Sequence, residues 1–419
     1  MSPACGGGEA SADGQTASHD PTPDGPPAFD EVAFAALKAE VEAWVAGPGE
    51  AWAERIERER SVPPELWSEL RERGYLRLAA PQAYGGQGLP FSRYLELMEL
   101  FAMSHASVRM IVHVVNGIWR AIDLLATDEQ RARFVLPQVS GDLRVAFTLT
   151  EPTAGTGADL RCAVERHGDT YELSGQKHLI TFGLTADRLL LFARLAGTRG
   201  AEGTVALMVD RHAPGTEARP MDESLGVRGT DHAHFVFRRT PVPVADRLGA
   251  EGDGLRVAFG GFLTPSRISV AMSCVGLARR AQELALAHAR QRRTFGKYLA
   301  ERQAIAWMLA ENATDIEAAR QLVFHAARTW EGRSPEDPEA DGRAAVAASM
   351  AKLFGTDMLQ RVTDRALQVH GGIGYFAPNP IERVYRDARA QRFEEGTVEI
   401  QKQVIARALI GRLDPVEEA

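Results

Sequence analysis

Near the C-terminus, Glu394-Glu395-Gly396-Thr397 ends a charged run that begins at Arg386 and opens an apolar-periodic segment, Val398 to Ile410. Gly396 permits a turn that a residue with a Cβ resists. Thr397 is of a type that caps a helix, and the backbone N–H groups at such a helix start can meet an anion. Glu395 therefore falls at a bend just before a helix. A carboxylate held there against an apolar pocket is placed to remove a proton as a general base. Glu394 reads as a solvated neighbour; were it buried, its charge would act on Glu395. An isolated Glu-Gly-Thr is more often a plain helix start than a catalytic site, so the rest of the chain has to decide.

Arg386-Asp387-Ala388-Arg389, a short spacer and Glu395-Gly396-Thr397-Val398-Glu399-Ile400-Gln401 resemble the C-terminal signature of the acyl-CoA dehydrogenase family. The resemblance implies that Glu395 removes the α-proton of an acyl thioester. Four further stretches resemble that family's flavin contacts. Phe147, Leu149 and Thr150 through Thr156 match a Thr-Glu-Pro-x-Ala-Gly-Ser/Thr loop along the flavin. Leu179, Ile180 and Thr181 match a second segment, with the Thr181 hydroxyl near the hydride-accepting ring atom. Arg292, Thr294, Phe295 and Gln303 match an Arg-x-x-Phe-Gly…Gln element, and Gln368, Gly371 and Gly372 its Gln-x-x-Gly-Gly partner. In the family both elements complete a neighbouring subunit's cofactor site, which implies a homodimer or homotetramer. Thr397 and Glu399 complete the FAD contacts that the resemblance implies. Thr156, Arg267 and Gly396 are its substrate contacts.

Elements able to position these residues follow in order. Residues 1–28 are rich in Gly, Pro, Ser, Ala and Asp and read as a disordered tail. Residues 29–142 carry helical periodicity, with a glycine-rich loop, Gly85-Gly86-Gln87-Gly88, that reads as a turn. Residues 143–247 hold short β-rich runs with no interleaved helices, which suggests an antiparallel barrel or sandwich. Residues 248–419 return to helices, expected near Ile268–Arg290, Ile305–Val323, Val346–Val369 and Thr397–Gly411, enough for a four-helix bundle. The fold class is thus α+β multidomain, in the helix–strand–helix order of the acyl-CoA dehydrogenase fold.

Composition excludes several alternatives. A net charge of −8 over 419 residues, with no basic tract, disfavours nucleic acid and anionic membranes as partners. Cys5, Cys162 and Cys274 are far apart and suit a reducing cytoplasm. His232 and His234 alternate as strand ligands could, but no third ligand is near, so no metal is expected.

Two departures bear on substrate and acceptor. Leu179 stands where many members have a Trp beside the flavin, leaving the electron acceptor open between an electron-transfer flavoprotein and oxygen. Thr264 stands where many have an Asp that helps hold the CoA thioester arm, so acyl-CoA and acyl-carrier-protein thioesters are both candidates. Ser266 occupies the place to which some branches move the base, and it cannot act as a carboxylate. The expected reaction is FAD-dependent α,β-dehydrogenation of an acyl thioester, with a flavin oxidase or monooxygenase on the same fold as the alternative.

Overall fold

The computed structural model describes residues 29–153, 159–334, 337 and 339–411. The N-terminal tail, Cys5 and Thr156 lie outside the described residues.

The first part is helical: α1 (Glu31–Ala46), α2 (Pro48–Glu59), α3 (Pro64–Glu72), α4 (Phe91–Phe101), α5 (Ala106–Asp123), and the short α6 (Asp128–Gln130) and α7 (Leu136–Ser140) around a π-helical turn. Asp30 caps α1 by accepting from the N–H groups of Val32 and Ala33. α5 is buried along most of its length. It starts at His105, whose ring Nδ1 accepts from the Ser107 N–H at 3.0 Å while its other nitrogen faces Glu57. An apolar helix in such a place costs little, so its buried Arg109, His113 and Asn116 each need a partner. Asn116 finds three on the backbone, at Ala79, Tyr75 and Val112.

The middle part is a sheet of β1 (Val145–Thr148), β2 (Ala163–His167), β3 (Thr170–Thr181), β4 (Arg188–Leu195), β5 (Thr204–Asp210), β6 (Thr216–Pro220), β7 (His232–Pro243) and β8 (Arg247–Leu248). The strand order is β6-β7-β3-β2-β4-β5-β8, with β1 on β4. Most of the pairings are antiparallel, as expected from the strand runs, while β1 and β2 both pair with β4 in parallel. β2 and β3 form a hairpin, and the chain then crosses to the other edge of β2, which sets β4 parallel to it. Between Lys177 and Ile180 the β3–β7 register shifts. There Leu179 has φ 58° and its side chain is 53 % exposed. A bulge that turns one residue outward is a common way to re-aim a strand side chain.

The last part begins with α8 (Gly254–Arg256) and a π-helical turn (Val257–Leu263), and continues as α9 (Thr264–Gln291), α10 (Gln303–Glu331), α11 (Ala340–His370), α12 (Pro380–Ala390) and α13 (Val398–Ile410). A small hairpin, β9 (Arg293–Thr294) and β10 (Lys297–Tyr298), links α9 to α10. α9 starts four residues before the expected Ile268, because Pro265 is tolerated in a first helical turn and the π-turn feeds straight into it. Ser266 and Arg267 are therefore helical. α9 also lies close against α4: a Cβ at Gly276 would sit 2.0 Å from the Glu99 carbonyl oxygen, so only glycine fits. One continuous apolar core joins α4, α5, α9, α10, α11 and α12.

Candidate active site

The bend before α13 is conformationally costly. Glu395 has φ 53° and Gly396 φ 93°, two successive residues in left-handed backbone. A non-glycine residue there costs on the order of 1–2 kcal/mol, and such strain persists only where the surroundings over-determine it. Three buried side chains do so. Arg267 of α9 donates to the Glu395 carbonyl at 3.2 Å. Gln401 of α13 donates to the Glu395 and Gly396 carbonyls at 3.2 and 3.0 Å. Lys352 of α11 donates to the Gly396 carbonyl at 2.7 Å. Three helices thus fix the direction of both peptide groups and aim the Glu395 carboxylate. Arg267 reaches the backbone of the expected base.

Lys352 has no exposed surface. Burial, opposed by Cys274, Glu394 and Glu395, lowers its ammonium to about 8. Burial likewise lowers the Arg267 guanidinium, with Glu395 opposing. The Cys274 thiol below them is pushed up to about 12 by its burial.

The Glu395 side chain keeps 15 % of its surface, and its Oε1 lies 3.7 Å from His113 Nε2. The same His113 nitrogen is 2.8 Å from Ser266 Oγ. The His113 ring lies against Phe262, whose own ring stacks on Phe147 at 4.6 Å between centroids. Glu395, His113, Ser266 and the expected flavin contact Phe147 are thereby linked in one contiguous set.

Glu394 overturns the expectation that it is solvated. Its side chain is only 16 % exposed, and both its oxygens accept from the Arg109 guanidinium, at 2.9 and 3.0 Å. Burial works to raise its carboxyl, but Arg109 outweighs that and the net shift is downward. Thr397 holds the N-cap position of α13, yet its side chain makes no capping hydrogen bond, so that expectation is corrected too. Glu399, one residue into the helix, is exposed.

The two flavin segments of the β-sheet come together. The His178 N–H donates to the Thr150 carbonyl at 2.9 Å, and buried Lys177 donates to the Leu149 carbonyl and to Glu151. Phe147, Thr150 and Thr181 are half-buried, and neither threonine side chain has a hydrogen-bond partner among the described residues. With outward-turned Leu179 and buried Ile180 they form an open edge with free hydroxyls, which fits the polar rim of a flat cofactor ring. His234 pairs with His178 at 3.3 Å, and among the described residues no group of three His, Cys, Asp or Glu could hold a metal.

The remaining expected cofactor residues do not meet Glu395. Arg292, Phe295, Gln303, Gln368, Gly371 and Gly372 are exposed, and Thr294 is half-buried. They gather at the far end of α9 and α11, where His288 and His370 stack at 4.5 Å. At 1.5 Å per residue, Arg292 lies roughly 35 Å along α9 from Arg267. Arg109, His113, Lys352 and Gln401 are the site residues that sequence reasoning missed. An Arg and a His four apart in a helix of mostly apolar residues was the available signal for the first two.

Family profiles match all three parts of the chain: acyl-CoA dehydrogenase N-terminal domain over residues 34–142, middle domain over 146–240 and C-terminal domain over 252–410. The chain belongs to the acyl-CoA dehydrogenase family. Its members are FAD-dependent flavoproteins, oxidoreductases acting on CH–CH groups. An acyl-CoA dehydrogenase of Bacillus subtilis is 34% identical over 86% of this chain and 93% of its own length. The butyryl-CoA dehydrogenase of Megasphaera elsdenii has a similar structure, with TM-score 0.83 and 30% identity, covering 90% of this chain and 98% of that one. A prolyl acyl carrier protein oxidase, AnaB, is also similar, with TM-score 0.82 and 26% identity over 90% of this chain and 99% of that one. No helix among the described residues is long and apolar enough to cross a membrane.

Proposed function

We propose that this dehydrogenase removes the α-proton of an acyl thioester with Glu395. The observation that carries the reading is the three-helix grip on the left-handed turn at Glu395 and Gly396. A general base gains from being held in one geometry before substrate arrives. The proton passes from the α-carbon to the Glu395 carboxylate. FAD, when bound against Phe147, Thr150, Ile180 and Thr181, supplies the acceptor for the hydride leaving the β-carbon. The Glu395 backbone N–H, turned by the grip, is the chain's own donor toward the enolate oxygen.

The acyl carrier is either CoA or the pantetheine arm of a carrier protein. Thr264, buried in the first turn of α9, supplies no carboxylate for the CoA arm, which favours the carrier-protein form. The electron acceptor is an electron-transfer flavoprotein or oxygen, with the oxidase reading as the second choice because Leu179 is outward-turned and exposed. Assembly as a homodimer or homotetramer is supported by Phe295, 97 % exposed, with Trp307, Tyr375 and Phe376 also exposed near the cofactor elements that Glu395 does not reach. The free buried Cys162 and Cys274 agree with a cytoplasmic setting.

Anaerobic titration of the flavin-loaded protein with matched acyl-CoA and acyl-carrier thioesters tests this reading. Bleaching of the flavin band by at least one of them is expected. A flavin that no acyl thioester bleaches would sink the proposal.

A further inference from the structure

β1 leads into Thr150 and β3 ends at Thr181, yet no ladder joins the two strands. Among the described residues β1 pairs with β4, and β3 pairs with β2 and β7. The two sides of the proposed flavin edge therefore lack a strand register to set their spacing. Hydrogen bonds from two consecutive residues of β3 reach across instead. The His178 N–H donates to the Thr150 carbonyl at 2.9 Å. Lys177 Nζ donates to the Leu149 carbonyl at 2.8 Å and to Glu151 Oε1 at 2.9 Å, so one ammonium grips the residues on either side of Thr150. Glu151 in turn accepts from the Arg161 N–H at 2.7 Å and the Cys162 N–H at 3.0 Å, which ties the same stretch to the chain entering β2.

Both charges are out of water: the Lys177 side chain has no exposed surface and that of Glu151 keeps 2 %. A buried ion pair is a poor way to stabilise a sheet, since apolar side chains of similar volume do as well or better. An apolar pair cannot, however, fix the direction of a peptide group. An ammonium carries three donors and a carboxylate accepts on both oxygens, so this pair orients the Leu149 carbonyl and the N–H groups of Arg161 and Cys162 together. Lys177 is also the last residue of β3 in register with β7 before the shift that turns Leu179 outward. The irregular stretch that carries Leu179, Ile180 and Thr181 thus starts from a fixed point.

We infer that Lys177 and Glu151 are positioning residues for FAD: the buried pair sets the spacing between Thr150 and Thr181, the two hydroxyls offered to the flavin edge. The inference rests on the placement of FAD proposed above and adds the residues that hold that placement. Being buried, the two side chains act on the cofactor only through the backbone they orient.

The test uses the flavin-loaded full chain. FAD release on dilution into flavin-free buffer, read as the rise in flavin fluorescence, gives the dissociation constant, and visible circular dichroism at saturating FAD reads the surroundings of the bound ring. The Lys177→Met/Glu151→Leu double variant removes both charges and keeps the bulk. It is expected to hold FAD at least about tenfold more weakly, the worth of roughly one lost hydrogen bond, and to show an altered flavin dichroism band. Val242→Ala is the control for sheet stability. It opens a cavity at a fully buried position paired with Tyr171, at the opposite end of β3 from Thr181, and should leave both readings at the wild-type values. A double variant with wild-type affinity and band overturns the inference, and so does an equal loss of FAD in Val242→Ala. Should the double variant not fold, Glu151→Gln keeps the shape and removes one acceptor, and wild-type readings there overturn the inference in the same way. Thr181→Val separates the inference from the placement beneath it. If that change leaves the dichroism band untouched, the flavin does not lie along this edge and the placement fails. If it alters the band while the pair variants do not, the inference alone fails.

Discussion

Arg109 and Glu394 are 285 residues apart in the chain and meet through two hydrogen bonds of 2.9 and 3.0 Å. The pair ties α5 of the first helical part to the bend that carries Glu395, the proposed base. A bidentate guanidinium–carboxylate pair has a fixed geometry, so the residue before Glu395 is anchored to α5 while Arg267, Gln401 and Lys352 hold the Glu395 and Gly396 carbonyls.

The pair's energetics are testable by asymmetry. Arg109→Met or Glu394→Leu alone leaves a buried charge without its partner and should cost about 3–5 kcal/mol. The double change removes both charges and should lie much closer to wild type. The ordering of melting temperatures of the FAD-loaded proteins checks this, and a double variant less stable than either single one would contradict it.

A second ion-pair network makes acid sensitivity specific. Glu57 on α2 accepts from Arg386 on α12 at 2.7 Å and faces the His105 ring at 3.0 Å. Burial works to raise its carboxyl, but His105 and Arg386 together bring it down to about 2, from the usual 4.5. A depressed carboxyl contributes stability that is fully present above 4.5 and is lost as pH falls from 4.5 towards 2. Its size is at most about 3 kcal/mol. Glu57→Gln should therefore be destabilised at pH 7 and should approach wild type as acid unfolding is followed down through that window. Parallel stability curves for the two proteins from pH 7 to pH 3 would reject the assignment.

The helix–strand–helix order and the turn at Glu395 and Gly396 were legible because they depend on local patterns: apolar spacing, short β-rich runs, and Glu395-Gly396-Thr397 itself. The sheet's parallel pairings were not, since they depend on which edge of β2 the chain reaches after β3. Glu394 was misjudged for a related reason. Its neighbours in sequence, Phe393 and Glu395, gave no hint of a guanidinium arriving from α5. Lys352 was invisible in the same way, reading as a charged position in an apolar-periodic helix whose partner is a backbone carbonyl 44 residues on.

The base assignment separates from its neighbours by substitution. Glu395→Gln keeps the shape and the backbone N–H but removes the proton acceptor. FAD and thioester should still bind, while stopped-flow flavin reduction should fall at least ~10²-fold. Glu399→Gln, at an exposed position, should reduce at nearly the wild-type rate. Fast reduction in Glu395→Gln would move the proton acceptor elsewhere.

Lys352 should show function held against stability. Its ammonium is buried, and burial brings it to about 8 from the usual 10.5. The folded state therefore binds fewer protons than the unfolded chain between pH 8 and 10.5, so this group's contribution to stability rises with pH across that window. Below 8 it is a net cost of about 3 kcal/mol, offset in part by its hydrogen bond to the Gly396 carbonyl, worth roughly 1–3 kcal/mol. Lys352→Met keeps a long side chain in the same space and removes both. At pH 7 the variant should melt at or above the wild-type temperature, and this advantage should shrink as pH rises towards 10. Gln401 still holds the Gly396 carbonyl, so FAD content should survive, but with one of three grips gone the carboxylate is less well aimed. Misplacement of this kind is costly to rate, and flavin reduction should slow by roughly tenfold. A Lys352→Met protein that reduces its flavin at the wild-type rate would mean that Arg267 and Gln401 alone set the turn. One that is both slower and much less stable at pH 7 would mean that Lys352 serves the bundle rather than the base.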